Sequence, residues 1–259
     1  LDYVRLGIKE NRYSEDGTRI SLGELDMRDM EIENSGDFIL HLGGAETSKN
    51  YLPMPKSANM LIVRQTYKNR IKQTHAKINI KNLDSKPIPE ILTTEKLENQ
   101  LNQTLAFVSG TASTFLKWVN EFKLNHKNSL PLGDQSFFQA AGGDPKICYL
   151  HGYYEFNEDE CLQIITDIPE CEYWNFQLEN YWMESLDYRH YPIHINDSSA
   201  TLEDDNSIII TISHSPINIK NNLITEGRNN GAMLLRWIGS TNNPIPEVKI
   251  KKIKSIEIN

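Results

Sequence analysis

Apolar and polar residues alternate with period two in several short runs near the start of the chain. Residues 37–42 end at Gly43 and Gly44, residues 60–65 follow a turn marked by Pro53 and Pro55, and residues 77–80 alternate Lys77, Ile78, Asn79, Ile80. Such runs, bounded by Gly and Pro, predict short antiparallel strands. After Pro87 and Pro89 the period changes. Leu97, Leu101, Leu105, Val108, Ala112, Phe115, Leu116, Val119 and Phe122 recur at spacings of three and four, which predicts an amphipathic helix. Thr93 or Thr94 can cap it, Glu95 and Glu98 suit its first turn, and Gly110 reads as a kink or a break between two helices. A loop rich in Gly and Pro runs from Pro131 to Pro145. Strand patterns then resume at residues 147–156, 161–166, 173–180, 190–195, 207–212, 232–237 and 248–253.

No helix-length pattern separates these later strands, so a parallel α/β sheet is excluded and a mainly β fold is expected. The architecture predicted is a duplicated antiparallel β-sandwich, jelly-roll-like, with a helical insertion between two β units. The units are residues 1–88, the insertion 89–130 and the second unit 131–259. Duplication is suggested by a nearly constant offset. Tyr3 and Tyr173 differ by 170, as do Phe38 and Ile208; Asn50 to Leu52 match Asn221 to Leu223 at 171, Met60 matches Met233 at 173, and Lys77 matches Lys249 at 172. The second copy then has two further strands, between Ile147 and Thr166, whose counterparts would lie before Leu1. The expectation is therefore that either the first β unit is incomplete by nature or the chain is an N-terminally shortened piece.

Composition narrows the partners. Of 259 residues, 27 are Lys or Arg and 35 Asp or Glu, a net charge of −8, which disfavours nucleic acid and anionic membrane surfaces. No apolar run approaches the roughly 20 residues that span a bilayer. Three cysteines without a C-x-x-C pair indicate neither a disulfide framework nor a thiolate zinc site, so a reducing compartment, the cytoplasm, is favoured. No cofactor and no metal is expected.

The densest polar and aromatic stretch lies between Tyr173 and His190. There Trp174, Phe176 and Leu178 can enter a core while Asn175, Gln177 and Glu179 face outward. Glu184 and Asp187 sit among aromatics, where desolvation would raise a carboxyl pKa and permit acid/base work; the bland alternative is a turn whose carboxylates cap backbone amides. His190 and His194, with Pro192 between them, would stand about 13 Å apart in extended chain, too far for one metal ion. His151 and His214 complete the catalytic candidates, since a histidine beside a carboxylate supports proton transfer. Trp182, Tyr188 and Arg236 are the ligand-binding candidates. Arg64 and Arg236, at matching ends of the repeated strand, are expected to pair with carboxylates. Cys148 lacks any nucleophile signature, and the lysines from Lys249 to Lys254 suit a solvated edge strand. Signatures for a G-x-S-x-G elbow, a Walker loop, a dinucleotide loop and H-E-x-x-H are absent.

Gly142 to Pro145, Tyr149 to Tyr153, Tyr173 to Leu178, Trp182 to Tyr188 and Leu234 to Trp237 together resemble the bacterial family called domain of unknown function 1214. Residues 3–83, with Asn50-Tyr51-Leu52-Pro53 and Leu61 to Gln65, are distantly similar to its companion domain 1254. The resemblance implies two jelly-roll-like units, often in oligomers, and no reaction. His151, Glu184, Asp187 and His214 fit its pattern. The chain departs from it in two places, with Ser215-Pro216 after His214 and Arg228 where a histidine follows glycine. These readings favour a non-catalytic module that binds a small molecule or a protein, including its own copy in a homo-oligomer. The alternative is an enzyme using His and carboxylate chemistry, acid/base or metal-assisted, on a small substrate.

Overall fold

Val4, Leu6 and Ile8 alternate with Arg5, Gly7 and Lys9, and this alternation makes β1 (Tyr3–Arg12) the central strand of a three-stranded antiparallel sheet. The computed structural model of the chain describes residues 3–83 and 91–256. Two compact units result, Leu1–Thr111 and Ala112–Asn259. In the first, β1 pairs with β2 (Thr18–Asp26) on one side and β5 (Met60–Thr66) on the other. Val4, Leu6 and Ile8 pack with Leu52, Leu25, Leu61 and Val63 on one face of this sheet. The opposite face is charged. Lys9 is fully buried there in an ion pair with Glu24, whose carboxylate folds over Gly7.

A short parallel pair, β3 (His41–Leu42) and β4 (Tyr51–Leu52), completes the strands among the described residues of the first unit. The strand expected over residues 37–42 is thus confined to its last two residues, because residues 33–37 are taken up by a turn in which the Glu33 amide donates to Asp37 O at 3.0 Å. The strand expected over 77–80 does not form. Gln65 grips Ala76 through both ends of its amide, at 2.9 and 3.3 Å, and beyond it the backbone is irregular.

The predicted helix is one element, α1 (Thr94–Asn125), capped by Thr93 Oγ1, which accepts from the Lys96 amide at 3.2 Å. It runs through Gly110 without a break. Glycine is needed there for close approach, since a Cβ would lie 2.0 Å from the carbonyl oxygen of Tyr13. The apolar stripe also divides: Leu97, Leu101, Leu105 and Val108 are exposed, whereas Trp118, Val119 and Phe122 are buried. No helix among the described residues is long and apolar enough to cross a membrane.

In the second unit, a short helix α2 (Gln135–Ala140), capped by Asp134, was too brief to show a periodic pattern. It precedes β6 (Ile147–Glu155), β7 (Glu160–Asp167), β8 (Tyr173–Leu178), β9 (His194–Asn196), β10 (Ser207–Ser213), β11 (Asn222–Ile224), β12 (Asn230–Ile238) and β13 (Glu247–Lys252). They form two four-stranded sheets, β6–β12–β8–β9 and β11–β10–β7–β13, antiparallel except where β10 meets β11. Leu150, Met233, Leu235, Trp237 and Phe176 of one sheet share a core with Leu162, Ile164, Ile208 and Ile210 of the other. The outer face of the first sheet carries Tyr153 and Ala232 against Trp118, Val119, Phe122 and Phe138. The fold is mainly β, with one long helix between β units.

The two units repeat one pairing register. Arg5 lies opposite Asp26 and Arg64; Asn175, 170 positions on, lies opposite Asn196 and Arg236, which are 170 and 172 positions on. This register sets the β5 to β12 offset at 172, one less than the alignment of Met60 with Met233. Asn50 bonds both backbone atoms of Glu31 at 2.7 Å, and Asn221 bonds both of Thr201 at 2.9 and 2.7 Å.

Candidate functional site

Three polar side chains leave β8 and its extension on the outer face of the β6–β12–β8–β9 sheet. Because strand residues alternate, Asn175, Gln177 and Glu179 share that face with Arg236 and Leu234 of β12 and His151 of β6. Arg236 Nη1 donates to Gln177 Oε1 at 3.3 Å, and Gln177 Nε2 donates to Glu179 Oε1 at 2.7 Å. Gln177 therefore stands between the guanidinium and the carboxylate, so the direct ion pair expected for Arg236 is absent. Glu179 was expected to face outward; it does leave the core, but it is only 3% exposed. Burial raises its carboxyl to about 7, against the opposing pull of Arg236 and of the Gln177 hydrogen bond. Its Oε2, the Asn175 Oδ1 and the His151 Nδ1 are buried without a hydrogen-bond partner.

His151 lies across Leu234 from Gln177 and is 4% exposed. Its ring stacks on Phe122 at 5.0 Å and lies against Phe138 at 4.6 Å. Desolvation lowers its pKa to about 3, with the charge of Arg236 acting in the same direction, so the imidazole is neutral.

Glu184 and Asp187 belong to a different surface. Asn180 Oδ1 accepts from the amides of Trp182 and Glu184 at 2.8 and 3.0 Å, and Asn180 Nδ2 donates to Glu184 Oε2 at 2.7 Å. Glu184 is exposed, and its carboxylate serves this turn. Asp187 departs from the expected direction: the hydrogen bond from Arg189 is the main cause of its fall to about 2. His214 stacks on Phe156 at 4.4 Å, with Nδ1 2.9 Å from Thr225 Oγ1 and Nε2 3.3 Å from Phe156 O. No hydrogen bond joins any two of His151, Glu184, Asp187 and His214, so the four do not form one constellation.

The ligand-binding candidates fall into two places. Arg236 belongs to the buried ladder. Trp182 and Tyr188 are 53% and 42% exposed, and Tyr188 lines an open depression of about 390 Å³ with Asp187, Arg189, Glu226 and Arg228. Arg189 is held by Asp187 and Arg228 by Glu226. Glu226, at φ 54°, also accepts the Asp187 amide at 2.7 Å, which ties the two ion pairs together.

No family model matches the chain, and no curated protein matches it. Among solved structures, the crystal structure of an uncharacterized protein from Burkholderia cenocepacia is 33% identical to it, with a TM-score of 0.93 over 98% of this chain and 70% of that one. The chain belongs to the family of that Burkholderia protein. A crystal structure of a Vibrio parahaemolyticus protein aligns with 96% of this chain and 86% of its own at 10% identity and a TM-score of 0.44.

Within this member of the Burkholderia protein's family, two further candidates can be placed. Burial raises the Cys148 thiol to about 11, which leaves it a poor nucleophile at neutral pH. Among the described residues no three of His, Cys, Asp and Glu gather as a metal site. The residues that the sequence did not single out are Gln177 and Glu179. Their signal was the alternation with Trp174, Phe176 and Leu178, but the alternation does not say what covers the polar side.

Proposed function

We propose that the chain is a non-catalytic binding module whose ligand is a small molecule with an apolar or aromatic body and a polar end, held at the depression beside Tyr188. The observation that carries this reading is the exposure of Tyr188 in a depression where two arginines are each fixed by a carboxylate, with Trp182 also exposed on the turn that precedes it in the chain. Large aromatic faces left in water beside pre-oriented polar groups are the usual make-up of a recognition surface. Asp187, held ionised by Arg189, suits an acceptor of ligand hydrogen bonds better than a general acid.

The test is a thermal-shift screen of small aromatic acids, amides and alcohols, followed by titration calorimetry of any hit. Trp182→Ala and Tyr188→Ala should weaken binding at least tenfold while leaving the unliganded melting temperature unchanged. Binding that survives both substitutions would place the ligand elsewhere. A second reading, acid/base catalysis on a small substrate, is favoured by one observation, the Glu179 carboxyl near neutrality. It requires turnover that Glu179→Gln abolishes.

We infer further that the two β units are copies of one jelly-roll-like ancestor, supported by the shared register and by the matching clamps of Asn50 and Asn221. The resemblance to domain of unknown function 1214 is consistent with such a pair. The net charge of −8 favours uncharged or cationic partners over nucleic acid. A homo-oligomer is part of the same proposal, and its native mass by light scattering tests it.

A further inference from the structure

The sheet of the first unit ends on β5, and no described strand is hydrogen-bonded to the side of β5 that faces away from β1. Its counterpart in the second unit, β12, has β6 on that side, in an unbroken antiparallel run from Asn230 opposite Glu155 to Ile238 opposite Ile147. The consequence is visible in burial. Every residue of β5 is half-buried, whereas β12 is buried from Gly231 to Leu235. The next strand after β6 is β7, which pairs with β13. At the offset of 172 set by the register, β13 corresponds to residues 75–80, where the expected strand does not form. One hairpin, equivalent to β6–β7, would therefore complete both places: its first strand beside β5, its second beside residues 77–80.

The edge itself needs cover. β5 reads Met60-Leu61-Ile62-Val63-Arg64-Gln65-Thr66, without proline or lysine, and its pairing with β1 has no bulge. Natural edge strands are guarded by charges, proline and bulges, and β5 has only the charge of Arg64 among these, so its edge is a template for another strand.

We propose that the edge of β5 facing away from β1 is the docking site of an antiparallel β-hairpin carried by the same polypeptide on the N-terminal side of Tyr3. Direction of entry follows from the second unit, where β7 ends at Asp167 and β8, the counterpart of β1, starts at Tyr173. The Burkholderia relative is also the longer protein, this chain covering 70% of it. The register fixes the chemistry of the incoming strand. Its residues opposite Val63 and Leu61 take the places of Leu150 and Gly152, so they are apolar or small and face Leu6 and Leu52.

Hydrogen exchange read by mass spectrometry tests this on two proteins, the 259-residue chain and the natural full-length polypeptide encoded by the gene. In the 259-residue chain, peptides covering residues 60–66 and 76–82 should exchange on the order of 100-fold faster than the peptide covering β12. In the full-length polypeptide both should gain protection, at a level independent of protein concentration, while β12 stays unchanged. Three results overturn the proposal: β5 as protected as β12 in the 259-residue chain, no gain in the full-length polypeptide or no encoded residues ahead of Leu1, or protection that grows with concentration. The last would assign the edge to a second copy of the chain.

Discussion

The carbonyl of Tyr13 lies against Gly110 so closely that a side chain at Gly110 would need the backbone of the β1–β2 turn to move. The nearest atoms to a Cβ there are Tyr13 O at 2.0 Å and Tyr13 C at 2.7 Å, neither of which can rotate away. Two effects oppose each other in Gly110→Ala. Helix propensity favours alanine by about 1 kcal/mol, while overpacking against a fixed backbone costs roughly 1–3 kcal/mol or more. The clash should win, giving a net loss of about 1–2 kcal/mol in urea unfolding. A gain in stability would show that the helix does not touch this turn.

Lys9 and Glu24 form a buried ion pair on the charged face of the first sheet, with Ser21 Oγ donating to Glu24 Oε1 at 2.9 Å. Glu24→Gln would leave the ammonium of Lys9 without its counter-charge, at a cost of about 3–5 kcal/mol. The double variant Lys9→Met, Glu24→Leu removes both charges and should fall within about 1–2 kcal/mol of the parent. Additive losses in the double variant would contradict the pairing. Gly7→Ala acts on the same pair, because its Cβ would meet Glu24 Oε2 at 2.5 Å.

What the sequence showed and what it hid divide along the range of the interactions. β5, β6, β7, β10 and α1 follow from local periodicity, which is written in neighbouring residues. Gly110 looked like a helix breaker because composition cannot show that the turn at Tyr13 approaches it. His151 and Arg236 were recognisable as candidates, but their relation to Glu179 depends on β6, β12 and β8 lying side by side, with Leu234 between His151 and Gln177. Glu184 and Asp187 appeared as acid/base candidates because they sit among aromatics in sequence. Asn180 and Arg189, only four and two residues away, commit them instead to local hydrogen bonds.

The buried ladder gives stability a pH dependence with two opposing limbs. Glu179 has a folded pKa of about 7, above the ordinary glutamate value of 4.5, so the native state holds the proton more tightly and stability falls as pH rises from about 4.5 to 7. His151 has a folded pKa of about 3, below 6.5, so the unfolded state binds the proton first and stability rises with pH from about 3 to 6.5. Between about pH 4.5 and 6.5 the two slopes cancel. Glu179→Gln should uncover the rising limb of His151, and His151→Leu the falling limb of Glu179, in chemical denaturation followed from pH 4 to 8. Unchanged profiles in both variants would mean that neither group titrates as its burial requires.

Arg236 couples the two groups through charge. Its guanidinium disfavours protonation of both neighbours, lowering the pKa of His151 and of Glu179 together. Arg236→Gln keeps a hydrogen-bonding side chain beside Gln177 and removes only the charge. Both pKa values should then rise, His151 toward 6.5 and Glu179 further above 7, as read by carbon-13 shifts of the Glu179 carboxyl and the His151 ring. A shift in one group alone would mean that the other does not feel the guanidinium. A joint rise would also move the stability profile: the falling limb of Glu179 would extend to higher pH, and the rising limb of His151 would shrink. Burial keeps His151 neutral, and the charge of Arg236 adds to that effect while drawing the buried Glu179 carboxyl down toward neutral pH.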